Sequence, residues 1–230
     1  MTTHSLRYVL AAALMLVFGM GTTGCSSMNN TGKGAVAGGA GGAVIGGIIG
    51  RATGSTARGA IIGAAVGGAA GAVIGRQMDK QAEELDRDLE NATVTPIPGE
   101  DGETAGIAVR FDNALLFDLG QATLRPGVQA DLRDLASSLR NYPGHDAVIV
   151  GHASTDGSTA TNQTLSERRA RAVEDFLVGQ GLSASRMQAY GRGESEPLAG
   201  IPGTDPANRR VEIAIYANEQ YRQQTEAQYN

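Results

Sequence analysis

The sequence predicts an α/β sandwich with a mixed sheet, preceded by a hairpin of two glycine-rich helices. Apolar residues over residues 105–217 follow the order strand, helix, strand, helix, strand, strand, and glycine recurs at every fourth position over residues 34–75. The chain has 230 residues, of which 33 are glycine and only 4% are aromatic. That composition suits one ordinary domain plus accessory segments.

Residues 1–24 have the layout of a secretory signal peptide. Arg7 gives a weakly basic start, residues 9–20 form an apolar run, and small residues precede Cys25. A run of this length is too short to span about 30 Å of hydrocarbon as a helix. The segment is therefore predicted to be cleaved.

Cys25 is the only cysteine of the chain, so it cannot form an internal disulfide in an exported protein. The stretch Thr22-Thr23-Gly24-Cys25-Ser26 resembles the bacterial lipobox, although Thr22 stands where leucine is usual. The resemblance implies a lipidated N-terminus over residues 25–33, attachment to membrane lipid through Cys25, and transport to the outer membrane. The alternative is an ordinary signal peptide followed by a free or intermolecularly paired thiol.

A glycine ladder with a four-residue step runs through residues 34–75. Its glycines are Gly34, Gly38, Gly42, Gly46 and Gly50 in the first arm, and Gly59, Gly63, Gly67, Gly71 and Gly75 in the second. Each glycine costs roughly 1 kcal/mol relative to alanine inside a helix, so close helix contacts must compensate. The ladder predicts a helical hairpin that can also form homo-oligomers. A flexible glycine-rich linker is the alternative, and membrane insertion is left open.

Residues 76–104 are predicted to form an amphipathic stalk and a linker. Alternating charges among apolar positions in residues 77–90 favour a short amphipathic helix, and Pro96 and Pro98 then indicate a linker. At the other end of the chain, residues 218–230 are polar and rich in glutamine, which is typical of a frayed helix or a tail.

Residues 105–217 alternate between strand and helix patterns. The predicted strands are 106–111, 114–117, 147–150, 186–190 and 211–215, and the predicted helices are 128–139 and 161–179. This order predicts a compact sandwich in which helices cover a mixed sheet.

Arg169 interrupts the apolar pattern of the second predicted helix. It lies four residues after Leu165 and four before Val173, which places its side chain on the inward stripe. An unpaired buried guanidinium is costly, so Arg169 needs an anionic partner. Periodicity leaves two interpretations open: a structural ion pair with an internal carboxylate, or a bound anionic ligand.

Several ordered motifs of this half resemble the OmpA-like C-terminal domain. They are Leu116-Phe117-Asp118, Val150-Gly151-His152, residues 162–170, residues 190–195 and residues 208–213. The whole layout is similar to the glycine-zipper OmpA-family lipoproteins of Gram-negative outer membranes. The resemblance implies a lipid-anchored, periplasm-facing protein of the outer membrane whose domain binds peptidoglycan without covalent attachment, through the diaminopimelate of the stem peptide.

The same resemblance implies the residues of the peptidoglycan site. Arg169 would receive a diaminopimelate carboxylate through its planar fork, and Arg209 would add a second donor. Phe117, Asp118 and Asn162 would line the pocket. Diaminopimelate carries both carboxylate and ammonium groups, so the site also needs an anion.

This chain departs from the family at the position of that anion. The family reads Gly-His-Thr-Asp, whereas this chain reads Gly151-His152-Ala153-Ser154. Either Asp156, two residues along the loop, supplies the carboxylate, or Ser154 leaves a weaker neutral contact. Residues 197–208 are also shorter than the usual loop, which affects the expected affinity more than the fold.

Other function classes find little support in the residues. A formal charge of -5 gives no basic patch for nucleic acid, and no cofactor or metal-ligand cluster is expected. His152 lacks an accompanying nucleophile motif and is interpreted as structural. The sequence predicts a non-enzymatic lipoprotein that links the outer membrane to the cell wall. The alternative is a membrane-active or envelope-assembly protein whose hairpin oligomerises while the OmpA-like domain only positions it.

Overall fold

The structure, a computed structural model, describes residues 55–229. The predicted signal peptide, Cys25 and the first glycine arm lie outside these residues. The described part contains a five-stranded sheet with helices on both faces, which confirms the predicted α/β class. Within residues 55–229, no helix combines the length and the apolar character that a membrane span requires.

The elements are, in chain order, α1 (Thr56–Gly63), α2 (Gly68–Asp88), β1 (Ala92–Pro98), β2 (Thr104–Asp112), α3 (Asn113–Leu116), α4 (Gln129–Asn141), β3 (His145–Gly151), α5 (Thr159–Gly179), β4 (Met187–Gly191), β5 (Arg210–Ala217) and α6 (Glu219–Tyr229). The strand order in the sheet is β1-β2-β5-β3-β4. Strands β3 and β4 are parallel and the other neighbours are antiparallel, so the sheet is mixed as predicted.

The central strands β3 and β5 are buried on both faces. Ile149 and Ile213 belong to the main core, which also contains apolar residues of α2, α4 and α5. Val148 and Ala214 point to the opposite face, where they form a second core with α1. Full burial of a large aliphatic side chain contributes about 1.5–3 kcal/mol, so both layers stabilise the sheet.

Strand β1 lies in a segment for which the sequence predicted a linker. It pairs antiparallel with β2, with Val94 opposite Val109, and it buries Ile97. Pro96 and Pro98 suggested a linker because proline cannot donate to a strand ladder. At the edge of a sheet that donor is not needed, so an edge strand accepts proline.

Helix α2 joins the last zipper glycines to the predicted stalk without a break. Ile74, Met78 and Leu85 recur at helical spacing and are buried in the main core. A Cβ at Gly75 would lie 3.2 Å from the Cβ of Glu103, so the glycine allows the β1–β2 turn to approach. The predicted stalk is therefore a packed layer of the sandwich.

The second glycine arm is divided between two helices, whereas the ladder predicted one. Helix α1 ends at Gly63, α2 begins at Gly68, and α1 lies on the second face of the sheet. A Cβ at Gly106 would lie 2.8 Å from Ile61 Cγ2, so this glycine makes room for the helix.

Glu196 caps the N-terminus of α1. Its carboxylate accepts hydrogen bonds from Thr56 N at 2.9 Å and from Thr56 Oγ1 at 2.5 Å, and it lies 3.3 Å from Arg192 Nε. A carboxylate at this position satisfies free N–H groups and the helix dipole. The contact joins α1 to the loop that follows β4.

Two further segments differ from the sequence-based expectations. The predicted strand 114–117 is mostly the helical turn α3, closed by Phe117 N donating to Asn113 O at 2.8 Å. Short apolar runs of this kind cannot be assigned by periodicity alone. The polar end of the chain is a helix, as one of the two expectations allowed, but it is packed rather than frayed: α6 buries Thr225 and places Tyr221 against the main core.

We expect Glu196→Gln to loosen α1, because hydrogen bonds to a charged acceptor contribute about 1.5–3 kcal/mol each and the neutral amide weakens them. Limited trypsin digestion measures this directly, since Arg58 lies within α1 and becomes cleavable when the helix opens. Glu83→Gln, at an exposed carboxylate of α2, is the control. Equal rates of cleavage after Arg58 in both variants would contradict the capping role.

Candidate functional site

One cavity brings together all seven residues predicted for the peptidoglycan site. Its volume is about 430 Å³, and it lies where β3 ends, between the first half of α5 and the segment that follows α3. The predicted residues on its wall are Phe117, Asp118, Ser154, Asp156, Asn162, Arg169 and Arg209.

Helix α5 positions one wall of this cavity. Ser158 caps the helix by accepting a hydrogen bond from Thr161 N at 3.2 Å. Asn162 and Arg169 are seven residues apart, which places both on one face of the helix. A Cβ at Gly151 would lie 2.2 Å from Ser166 O, so only glycine allows β3 to approach α5 this closely.

Arg169 reaches into the cavity with a side chain that is only 3% exposed. Its Nε donates to Gln121 O at 2.8 Å. With the Asn113 amide turned so that its oxygen faces the guanidinium, that oxygen accepts at 2.8 and 3.1 Å from the two terminal nitrogens. The guanidinium carbon lies 5.4 Å from the centre of the Phe117 ring. Neutral acceptors and an aromatic face therefore hold the cation.

No carboxylate of residues 55–229 lies within ion-pairing distance of Arg169. The described structure thus lacks the internal partner that the sequence left as one interpretation. Burial, and then the nearby charge of Arg209, lower the pKa of Arg169 to about 10. The guanidinium remains charged at neutral pH, and an anionic group in the cavity would stabilise it.

Ser154, Asp156 and Arg209 form a connected polar group in the same cavity. Ser154 Oγ donates to Asp156 Oδ2 at 3.0 Å, and Arg209 NH1 lies 3.3 Å from the same oxygen. The Asp156 side chain is 58% exposed, whereas Ser154 is buried. The carboxylate of Asp156 therefore lies beside Ser154, the position at which the resemblance implies an aspartate.

Asn162 lines the cavity, but its amide nitrogen is already occupied. It donates to Ser154 O at 3.0 Å and to Glu194 Oε2 at 2.7 Å, so it holds the loop after β3 against α5. Glu194 also accepts from Thr159 Oγ1 at 2.8 Å. Sequence reasoning did not single out Glu194, although it lies in one of the motifs that carry the resemblance.

Phe117 and Asp118 differ in exposure. Phe117 is 2% exposed and packs under Arg169, whereas Asp118 lies at the rim, 3.7 Å from Arg125 Nε. Leu119, also at the rim, is 92% exposed. The cavity consequently has a buried cation at its base and exposed charges around its mouth.

His152 does not line this cavity. Its ring is buried, and its Nε2 lies 3.9 Å from Glu212 Oε2. Burial and the charge of Arg210 lower the pKa of His152 to about 3, which keeps the ring neutral. The described residues also contain no cluster of three or more side chains suited to a metal ion.

Comparison with known proteins assigns two parts of the chain. Residues 116–211 match the model of the OmpA family. These residues of the C-terminal half are therefore similar to the OmpA family. Residues 1–79 match the model of the YMGG-like Gly-zipper, which agrees with the glycine ladder. The matched OmpA region includes every predicted residue of the cavity, while β1, β2 and α6 lie outside it.

Curated relatives are similar to the OmpA-like half of the chain. Outer membrane protein A of Shigella flexneri is 40% identical over 109 residues, which cover 46% of this chain and 31% of that protein. Outer membrane porin F of Pseudomonas aeruginosa is 38% identical over 112 residues, covering 47% and 32%. The chain thus spans about a third of the length of these relatives.

A solved structure supports the fold. The crystal structure of a MotB-like protein from Desulfovibrio vulgaris matches with a TM-score of 0.53 and 22% sequence identity, covering 63% of this chain and 94% of that one. At this identity the match concerns the fold alone. It agrees with the mixed sheet and the helices described above.

We expect Arg169→Met to change the free energy of unfolding by less than about 1 kcal/mol. Breaking a buried ion pair costs about 3–5 kcal/mol, but Arg169 has no carboxylate partner among the described residues, and water in the cavity can hydrate the acceptors left behind. Chemical denaturation measures the difference.

Arg210→Met is the matched control for this measurement. Arg210 is 2% exposed, and its Nε lies 2.7 Å from Glu212 Oε1, so we expect the loss typical of a broken buried pair. A loss at Arg169 as large as that at Arg210 would mean that Arg169 is a structural residue.

Proposed function

We propose that the OmpA-like domain binds peptidoglycan non-covalently and that the protein links the outer membrane to the cell wall without catalysing a reaction. The observation that carries this proposal is the buried guanidinium of Arg169, which faces a cavity and has no carboxylate partner among residues 55–229. A cation held in this way favours an anionic ligand. The similarity to outer membrane proteins supports an envelope location.

The diaminopimelate of the stem peptide fits the charges of the cavity. Its carboxylate would bind Arg169, and Arg209 could donate to the same ligand. Its ammonium group would bind Asp156, whose carboxylate accepts a hydrogen bond from Ser154 in the same cavity. One ligand that carries both signs of charge would then be oriented by groups on two separate elements.

Lipid attachment through Cys25 forms the other half of the proposed link. The lipobox-like sequence and the match of residues 1–79 to a glycine-zipper family support an N-terminal membrane segment. Within the described part of the second arm, α1 packs on its own domain. That contact favours the tether over the alternative in which the hairpin oligomerises and the domain only positions it.

The decisive test is co-sedimentation with purified peptidoglycan. We expect Arg169→Ala to weaken binding by roughly 30-fold, because a charge-assisted hydrogen bond contributes about 2 kcal/mol. Arg169→Lys should restore binding only in part, since lysine lacks the planar fork. Wild-type protein that does not sediment with peptidoglycan would overturn the proposal.

A second set of variants in the same experiment tests whether Asp156 supplies the carboxylate of the site. Asp156→Asn should weaken binding if Asp156 contacts the ammonium group, and Ser154→Asp should then partly compensate in the double variant. Asp134→Asn, at an exposed carboxylate of α4 that does not line the cavity, serves as a control for a general loss of negative charge. Binding that is unaffected by Asp156→Asn would leave Ser154 as the neutral contact.

The lipid anchor predicts that Cys25→Ala releases the protein into the soluble periplasmic fraction. Several acyl chains give stable membrane attachment, whereas a protein without them depends on its polypeptide alone. Cell fractionation followed by alkaline extraction measures the change. A variant that remains membrane-bound and alkali-resistant would assign the attachment to the glycine zipper.

A further inference from the structure

The residues that follow β4 connect helix α1 to the cavity of the proposed ligand site. They are residues 192–196, called the 192–196 loop below. Arg192 and Glu196, at the two ends of the loop, contact α1. Gly193 and Glu194, between them, contact the wall of the cavity. The same short loop is therefore held by the helix on one side and supports the ligand site on the other.

Thr56 of α1 contacts both ends of the 192–196 loop. Its hydroxyl and its backbone N–H donate to the Glu196 carboxylate at 2.5 and 2.9 Å, and the hydroxyl accepts from Arg192 Nε at 2.7 Å. Thr56 is only 1% exposed, so these hydrogen bonds are shielded from water while α1 lies on the sheet. If α1 leaves the sheet, Arg192 and Glu196 lose this shared partner, and both ends of the loop are released from the helix.

The middle of the loop holds the cavity wall around Ser154. Gly193 O accepts from Ala153 N at 2.7 Å. The Glu194 carboxylate accepts from the Asn162 amide nitrogen at 2.7 Å, and the same nitrogen donates to Ser154 O at 3.0 Å. Ala153, Ser154 and Asn162 all line the cavity. The backbone that positions the polar groups of the site is therefore held through this loop.

Helix α5 anchors the loop as well, which limits how much depends on α1. Gly193 has a φ of +49°, in the left-handed region that favours glycine, and its N–H donates to Ser166 Oγ at 2.9 Å. A Cβ at Gly193 would lie 3.1 Å from Gln163 N, so the loop lies directly on α5. These contacts do not involve α1. Loss of α1 should consequently loosen the cavity wall without dismantling it.

We propose that docking of α1 and ligand binding in the cavity that contains Arg169 are coupled through the 192–196 loop, so that the protein binds its wall ligand more tightly when α1 lies on the sheet. The inference rests on the proposed function for the identity of the ligand. With α1 docked, the cavity wall is ordered before the ligand arrives, and less conformational entropy is lost on binding. Such coupling is reciprocal, so a bound ligand favours the docked state of α1.

The coupling would make wall binding sensitive to the segment that leads to the membrane. Helix α1 contains Gly59 and Gly63 of the second glycine arm, and the proposed lipid anchor at Cys25 precedes both arms. An interaction that draws α1 away from the sheet, such as pairing with another zipper helix, would then weaken binding to the wall. The affinity of the domain would thus be regulated from the membrane side of the molecule.

The first test needs no ligand and uses the full-length protein in detergent. Thr56→Val removes the hydroxyl that contacts both ends of the loop and retains a side chain of similar shape. We expect the backbone amides of Ala153 and Gly193 to exchange hydrogen roughly fivefold faster in this variant, at the low end of the usual range of coupling effects. Amides of α4, in the main core on the other face of the sheet, measure global unfolding and should change less.

Two further variants are the controls for this measurement. Thr225→Val removes the hydroxyl of a buried threonine in α6, and we expect no change at Ala153 and Gly193. Thr56→Ser keeps the hydroxyl and should behave as the wild type. Exchange at these two amides that is no faster in Thr56→Val than in Thr225→Val overturns the coupling.

The second test measures affinity by calorimetric titration with a diaminopimelate-containing tripeptide. We expect Thr56→Val to weaken binding by roughly fivefold, whereas Thr56→Ser and Thr225→Val should bind as the wild type does. Thr56 does not line the cavity, so a loss of affinity cannot come from a lost contact with the ligand. The difference therefore isolates the effect of α1 on the site.

The third test examines the reciprocal effect by limited trypsin digestion of the wild type. The tripeptide should slow cleavage after Arg58, because the bound state favours docked α1. Cleavage after Arg222, in α6, measures opening elsewhere in the domain and should be slowed less. Equal protection at Arg58 and Arg222 would assign the effect to the stability of the whole fold and would overturn the coupling.

The outcomes distinguish this inference from the proposed function. Tripeptide binding that is equal in the wild type and Thr56→Val, without protection of Arg58, overturns the coupling and leaves wall binding intact. A tripeptide that does not bind the wild type overturns the proposed ligand. Faster exchange at Ala153 and Gly193 in Thr56→Val would in that case still support the link between α1 and the cavity wall.

Discussion

The central constraint in this molecule is a guanidinium that is taken out of water without a carboxylate to receive it. Removing a cation from water is costly, so the groups that contact the Arg169 guanidinium have to act as acceptors or as an aromatic face. Gln121 O, the Asn113 amide oxygen and the Phe117 ring fill these roles. Since none of the three carries a negative charge, they do not neutralise the charge of Arg169.

That arrangement depends on the rigidity of the sandwich. Arg169 projects from α5, whereas its neutral partners belong to α3 and the segment behind it, so the distances are set by how both pack on the sheet. Gly151 brings β3 against α5, and the core under both elements fixes the spacing. A binding site supported by helices and strands loses less conformational entropy when a ligand binds than one built from loops.

Much of this site could be predicted from the sequence because its residues fall in ordered motifs and because Arg169 violates a clear helical pattern. The neutral groups that bind the Arg169 guanidinium could not be predicted in the same way. Asn113 and Gln121 contribute a neutral amide and a backbone carbonyl, and neither has a sequence signal. Glu194 was overlooked for a similar reason, since it acts through Asn162 rather than through the cavity.

The fold was predictable where the hydrophobic periodicity is strong. It was uncertain where the same residue pattern suits more than one structural environment. The helices 128–139 and 161–179 correspond closely to α4 and α5. Strand β1 was missed because proline argues against strands except at an edge. Helix α1 contains Ala57, Ala60 and Ile61, a small apolar pattern that suits a lipid contact, a partner helix or the face of a sheet equally well. Only the surface on which it packs distinguishes these possibilities.

The docking of α1 also limits the reach of the proposed tether. With α1 on the sheet, the polypeptide between a lipidated Cys25 and the domain comprises residues 26–54, whose extended length is at most about 100 Å at 3.3–3.6 Å per residue. Any helical structure in this segment shortens that reach, because a helix rises 1.5 Å per residue. The contact between Glu196 and Thr56 therefore bears on how far from the membrane the domain can bind.

The buried cation and the exposed anion should contribute to binding in different ways. Asp156 is 58% exposed and is already paired with Arg209, so solvent and salt screen its attraction for an ammonium group. Arg169 is screened much less, because its guanidinium lies at the base of the cavity. Affinity should then depend mainly on the carboxylate of the ligand. Asp156 would act chiefly on the orientation of the bound ligand, and its contribution to the affinity would fall as ionic strength rises.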